Sequence, residues 1–91
     1  MPSFGNQTPA NQLLEICNAR IDSLTPREHD VMELLADAMT LKEIAAKLNI
    51  SVQTASKHRA RVLDKLQVKN EVAMLKMLWI ADPPMPDRLA S

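Results

Sequence analysis

The chain has no tyrosine, its only other aromatic residues are Phe4 and Trp79, and its single glycine is Gly5. β-rich domains draw on aromatic and β-branched runs and on glycine at their turns, so this scarcity points to an all-α fold. The lone cysteine, Cys17, excludes an internal disulfide and suits a reducing compartment. No apolar run reaches the roughly 18 residues of a bilayer span; the longest candidate, VAMLKMLWIA at 72–81, is broken by Lys76. The opening MPSFGNQTPAN lacks the positive start and apolar stretch of a secretory signal. A soluble, cytoplasmic chain without a membrane partner is the expectation. Cys17, His29 and His58 show neither nucleophile nor metal spacing, and there is no glycine-rich phosphate loop. Enzymatic activity is therefore the least favoured function class, with no catalytic residue, metal, cofactor or small-molecule ligand expected.

What is present is apolar content and a lopsided charge distribution. At 91 residues with 46% hydrophobic side chains, the chain allows one small, packed domain. Lys+Arg and Asp+Glu balance at 11 each. Between Lys47 and Lys69, however, six basic residues (Lys47, Lys57, Arg59, Arg61, Lys65, Lys69) face one acid, Asp64. Elsewhere five basic residues stand against ten acids. One basic segment in an otherwise acidic chain is the pattern of a single face meeting nucleic acid, although a solvated helix face would look the same by charge alone.

Helical periodicity and capping signals divide the chain. Residues 1–9 read as a disordered leader. Leu13, Leu14, Cys17 and Ile21 fall at helical spacing, giving a linker or extra helix within 10–23. Thr25, Pro26 and Glu28 form a capping-box start for a helix over 26–38 with Val31, Leu34, Leu35 and Ala38 inward. Thr40 and Glu43 repeat the box for a helix over 41–48 with Ile44, Ala45 and Leu48 inward. Asn49 suits a left-handed helix end, Ile50 can plug the turn, and Ser51 caps a helix over 52–66. A short helix and a longer one joined by about four residues have helix-turn-helix spacing. A last helix over 70–80 ends before DPPMPDR, and 81–91 reads as a flexible tail.

Projection of 52–66 at about 100° per residue separates two faces. Ala55, Val62 and Leu66 form a core stripe flanked by Val52 and Leu63. Gln53, Lys57, Ala60 and Asp64 lie opposite, with Ser56 and Arg61 at the flanks. Donors interspersed with small side chains suit a helix that lies deep in a groove. Arg59 projects near the core and is expected to reach an acid or a phosphate. His58 also lies toward the buried side, where packing is favoured over chemistry.

The stretch LTPREHDVMELLADAMTLKEIAAKLNISVQTASKHRARVLDKLQV resembles the LuxR/FixJ-type helix-turn-helix domain, a response-regulator output domain of two-component systems. The family pattern is close to LTxRExxVLxLxAxGxSNKEIAxxLxISxxTVKxHxxxIxxKLxV. KEIA at 42–45, Ile50-Ser51, Thr54, His58 and Lys65-Leu66 stand at matching offsets. The resemblance implies a four-helix domain over 24–80, here with the additional N-terminal helix. It implies a cytoplasmic, nucleoid-associated bacterial regulator that binds double-stranded DNA, with RNA polymerase a further candidate partner. The helix over 52–66 would read the major groove through Gln53, Ser56, Lys57 and Ala60. Thr40, Lys42 and Thr54 would lie near phosphates, with Arg61 and Lys65 added by charge. Four or five phosphate contacts per protomer would give a log–log salt slope of about −4. The last helix would carry a homodimer through Val72, Lys76, Trp79 and Ile80, while Met74, Leu75 and Leu78 face inward. Trp79 could equally pack on Leu13 and Leu14. Three departures stand out: Ala38 replaces the usual glycine, Leu41 the usual asparagine, and Ser56-Lys57 puts the expected groove lysine one residue later.

Two other readings share these features. A sigma-factor region-4-like module also has an LTPRE-like opening and a helix-turn-helix. A protein-interaction or dimerisation module that has lost DNA binding would keep the last helix and tolerate the displaced lysine. Too few residues precede Leu24 for a phosphoacceptor domain, so the chain reads either as the output half of a larger regulator or as a free-standing one.

Overall fold

In a computed structural model, residues 9–81 are described, and they form five helices without a strand. These are α1 (Pro9–Asp22), α2 (Pro26–Ala36), α3 (Leu41–Leu48), α4 (Val52–Leu66) and α5 (Glu71–Ala81). The all-α expectation is met, and α3 and α4 span the expected residues. The leader falls outside the described residues, except that Pro9 opens α1; so does the tail, except that Ala81 closes α5. Among the described residues no helix is long and apolar enough to cross a membrane.

The helix starts follow the sequence signals. Thr25 Oγ1 accepts the Glu28 N–H at 3.2 Å, and Glu28 Oε1 accepts the Thr25 N–H at 2.9 Å. Thr40 and Glu43 form the same reciprocal pair at 3.2 and 2.8 Å. Ser51 Oγ accepts the Thr54 N–H at 3.0 Å, and Asn70 Oδ1 accepts the Ala73 N–H at 3.0 Å. Each cap satisfies an amide that the helix geometry leaves without an internal partner.

The helix ends are made without glycine. Ala38, Asn49 and Gln67 take φ of 64°, 58° and 57°. At each site the following residue's N–H reaches back to a carbonyl five positions earlier: Met39 to Leu34 at 3.1 Å, Ile50 to Ala45 at 2.9 Å, Val68 to Leu63 at 3.0 Å. Met39, Ile50 and Val68 also pack against the core. This is the Schellman arrangement with its hydrophobic contact, used three times in succession. It explains why α2 stops at Ala36 and not at the expected 38. Ala38 is the reversing residue, and it is exposed, so it leaves the buried stripe to which the sequence assigned it.

The core lies around α4, which packs against each of the other four helices. Ala55, Val62 and Leu66 of α4 are fully buried, as are Val31, Ile44 and Met74. Several side chains differ from expectation. Val52, at the edge of the α4 stripe in its first turn, is exposed, and so is Leu13. Leu75 is exposed and Met77 takes the inward place. In α5 nearly every residue is apolar, so hydrophobicity alone does not set its rotation; the Glu71 ion pair described below does. Met32 and Glu28 join the buried face of α2, on the same 28-31-32-35 stripe as Val31 and Leu35.

A left-handed conformation costs a residue with a Cβ about 1–2 kcal/mol, which glycine avoids at some cost in unfolded-chain entropy. Ala38→Gly is therefore expected to stabilise the domain by about 0.5–1 kcal/mol, a Tm rise of about 2–8 °C. Thermal unfolding followed by circular dichroism measures it, and an unchanged or lower Tm would count against strain at Ala38.

Candidate nucleic-acid interface

The outward face of α4 is where the sequence places it. Gln53, Ser56, Lys57, Ala60 and Arg61 are all exposed, and Asp64 shares the face. Among the described residues the Lys57 and Arg61 side chains form no hydrogen bond or ion pair, and neither does Lys42, exposed in the first turn of α3. Ala55, between Thr54 and Ser56, is fully buried and holds this end of the helix on the core.

Thr40, Thr54 and the caps lie around the helix-turn-helix. The Thr40 hydroxyl accepts the Glu43 amide and keeps its own proton to donate. Thr54 is half-buried, and its Oγ1 accepts the Ser51 hydroxyl at 2.9 Å, which also leaves its proton available. The Thr40 N–H holds the Glu43 carboxyl below the usual carboxylate range. That negative charge sits beside Thr40, so Lys42 is the cation that would offset it for a phosphate at this end.

Two basic residues of the segment are already committed. Arg59 donates through Nε to Glu71 Oε2 at 2.9 Å and through a terminal nitrogen to Glu71 Oε1 at 2.6 Å. This bidentate pair ties α4 to the first residue of α5, as an acid partner was expected to do. The bond from Arg59 holds the Glu71 carboxyl below its usual range, and Glu71 in turn raises the Arg59 guanidinium. Lys65 is engaged within the fold. Its Nζ bonds Glu28 Oε1 at 2.7 Å and the Ser23 carbonyl at 3.4 Å, so it anchors α4 to α2 and the α1–α2 link. The signal that could have revealed this is Glu28 itself, an acid on the apolar stripe of α2 that requires a cation.

His58 is half-buried, and its Nδ1 has no hydrogen-bond partner among the described residues. On α5, Val72, Lys76, Trp79 and Ile80 are all exposed. Trp79 remains 63% exposed, so burial against Leu13 and Leu14 is not its arrangement. Among the described residues no cluster of three or more His, Cys, Asp or Glu could hold a metal ion.

A helix-turn-helix at 41–66 whose second helix presents donors and small residues defines a DNA-binding class of domain, and residues 22–78 match the family described as bacterial regulatory proteins, luxR family. The chain belongs to that family, as a DNA-binding domain of its transcriptional regulators. It is 41% identical over 66 residues to the transcriptional regulatory protein UhpA of Escherichia coli, covering 72% of this chain and 34% of UhpA. It is 38% identical over 68 residues to the transcriptional regulatory protein DesR of Bacillus subtilis, covering 75% of this chain and 34% of DesR. The crystal structure of full-length FixJ from B. japonicum superposes with a TM-score of 0.72 at 31% identity, over 85% of this chain and 39% of FixJ. The chain thus spans about a third of the length of the curated relatives it matches.

Glu28 sets a pH dependence. The Lys65 ammonium, then the Thr25 N–H, hold its carboxyl below the ordinary value of 4.5. A depressed folded-state pKa means that the stabilisation is complete above the ordinary value and is lost as pH falls through the lower, folded-state one. Glu28→Gln should cost about 1–3 kcal/mol at neutral pH and flatten the acid limb of the stability curve. Urea unfolding from pH 7 down to 3 tests this; a variant with the wild-type midpoint and acid slope would remove Glu28 from the account.

Proposed function

We propose that α4 enters the major groove of double-stranded DNA and reads sequence there, and that two copies bind a two-fold site through α5. The observation that carries the proposal is the division of α4. Its core stripe is fully buried, while Gln53, Ser56, Lys57 and Ala60 stand exposed along the other side. Gln53 suits adenine, Lys57 suits guanine acceptors or a phosphate, Ser56 can donate or accept, and Ala60 can meet a thymine methyl. Thr40, Lys42, Thr54 and Arg61 would fix position on the phosphates. A module this small buries little DNA surface alone, which favours a paired site. An exposed tryptophan beside Val72 and Ile80 supports α5 as the contact between copies.

Of the basic residues assigned to DNA, Lys65 is paired with Glu28, and Lys42, Lys57 and Arg61 have no ion pair among the described residues. The log–log salt slope should accordingly be about −3 per protomer, shallower than the sequence alone suggests. DNA selected from a random pool and titrated across salt concentrations measures it; a slope near zero would end the DNA-binding reading. Lys57→Ala should flatten the slope by about 1 if Lys57 meets a phosphate, or relax one base position if it reads a guanine. Ser56→Lys, selected in parallel, tests whether the displaced lysine changes the preferred site.

The α5 contact has its own test. Trp79→Ala should lower the dimer fraction in sedimentation equilibrium while leaving the melting temperature nearly unchanged, because an exposed side chain contributes little to the core. Unaltered self-association would move the contact off α5.

A further inference from the structure

We propose that the groove between α1, α2 and α5 docks a basic segment of a partner protein, one that presents an apolar side chain flanked by Lys or Arg. The groove has a volume of about 710 Å³ and takes no residue from α3 or α4, so it is built apart from the surface assigned to DNA; of the residues assigned to the contact between copies it shares only Trp79. Ile21, Met32, Leu75 and Leu78 make it apolar, and the exposed indole of Trp79 lines it from α5. Glu33 and Asp37 line it from α2, and no Lys or Arg does.

The charge points to the occupant. Both acids stand at the carboxyl end of α2, where the helix already carries partial negative charge, and the last turn of α2 holds no basic residue. His29 Nδ1 lies 3.8 Å from Glu33 Oε1, an open contact that is ionic only when the imidazole is protonated. Among the described residues the Asp37 side chain has no partner. Acids gathered at the negative end of a helix, beside apolar surface, repel polyanions and are well matched to a cation with an apolar stem. Trp79 adds a ring face for that cation. A second copy of this chain is the competing occupant, since its α5 would present Lys76 between Val72 and Trp79.

Trp79 is the only tryptophan and there is no tyrosine, so its emission reports the groove directly. The full chain, held at a concentration where sedimentation shows one species, is titrated with an amphipathic Lys/Leu helical peptide and separately with its Glu/Leu counterpart. The Lys/Leu peptide should shift the emission saturably, and Glu33→Lys with Asp37→Lys should weaken its binding roughly tenfold or more. Both positions are exposed, and an unchanged melting curve confirms that the double variant folds. Absence of a saturable shift, an equal response to the Glu/Leu peptide, or undiminished binding by the double variant each overturns the proposal. A shift that follows protein concentration alone assigns the groove to a second copy and also overturns it.

Discussion

Everything in this domain depends on a double demand placed on α4. One side of the helix must be closed off from water by four other helices, and the proposed DNA contact requires the other to stay bare. Ala55, Val62 and Leu66 meet the first demand with no exposed surface. Gln53, Ser56, Lys57 and Ala60 meet the second. Because a helical face turns by about 100° per residue, a shift of one position would swing part of the polar face into the core and part of the core stripe into water. The rotation of α4 is therefore the quantity the rest of the structure has to fix.

Polar contacts help to fix it at two points. Lys65 near the carboxyl end is held by Glu28, a carboxylate almost wholly removed from water. Arg59 in the middle is held by the fork of Glu71. A buried carboxylate without a cation is costly, so the Glu28 contact constrains the angle at which α4 crosses α2 as apolar packing alone would not. The second pair also sets the rotation of α5, directing Met74 and Met77 inward and leaving Val72, Lys76 and Trp79 outward. Interior order and outer surface are in this sense the same fact.

Much of this was legible in the residues, and what was not has identifiable causes. The capping boxes at Thr25 and Thr40, the left-handed Asn49 and the Ser51 start of α4 follow from local chemistry, which a sequence displays directly. The two faces of α4 follow from periodicity, because polar and apolar residues there alternate cleanly. In α5 they do not, and Leu75, expected inward, is exposed while Met77 is buried. Lys65 was assigned to DNA by its charge, since its partner lies 37 residues away and no local pattern links Lys65 to Glu28. Gln67 takes a left-handed conformation that nothing in its chemistry announces. At Ala38 the resemblance to a glycine-bearing pattern carried the information that the alanine itself withholds.

The neutral total of the chain is also explained by these contacts. Six basic residues between Lys47 and Lys69 suggest a dense positive patch, but two of them are matched by Glu28 and Glu71 from outside the segment. Their charges bind helices together and contribute little to an external field. On the outer face of α4 that leaves Lys57 and Arg61, with Asp64 on the same face opposing them. A weak local field gives limited non-specific attraction to DNA, since that attraction scales with the number of phosphates neutralised. In the proposed complex, discrimination would then fall more heavily on Gln53, Ser56 and Ala60, which carry no net charge and could act only through base edges. The position of a single lysine, at 57 and not 56, has correspondingly more influence here than it would on a strongly basic helix.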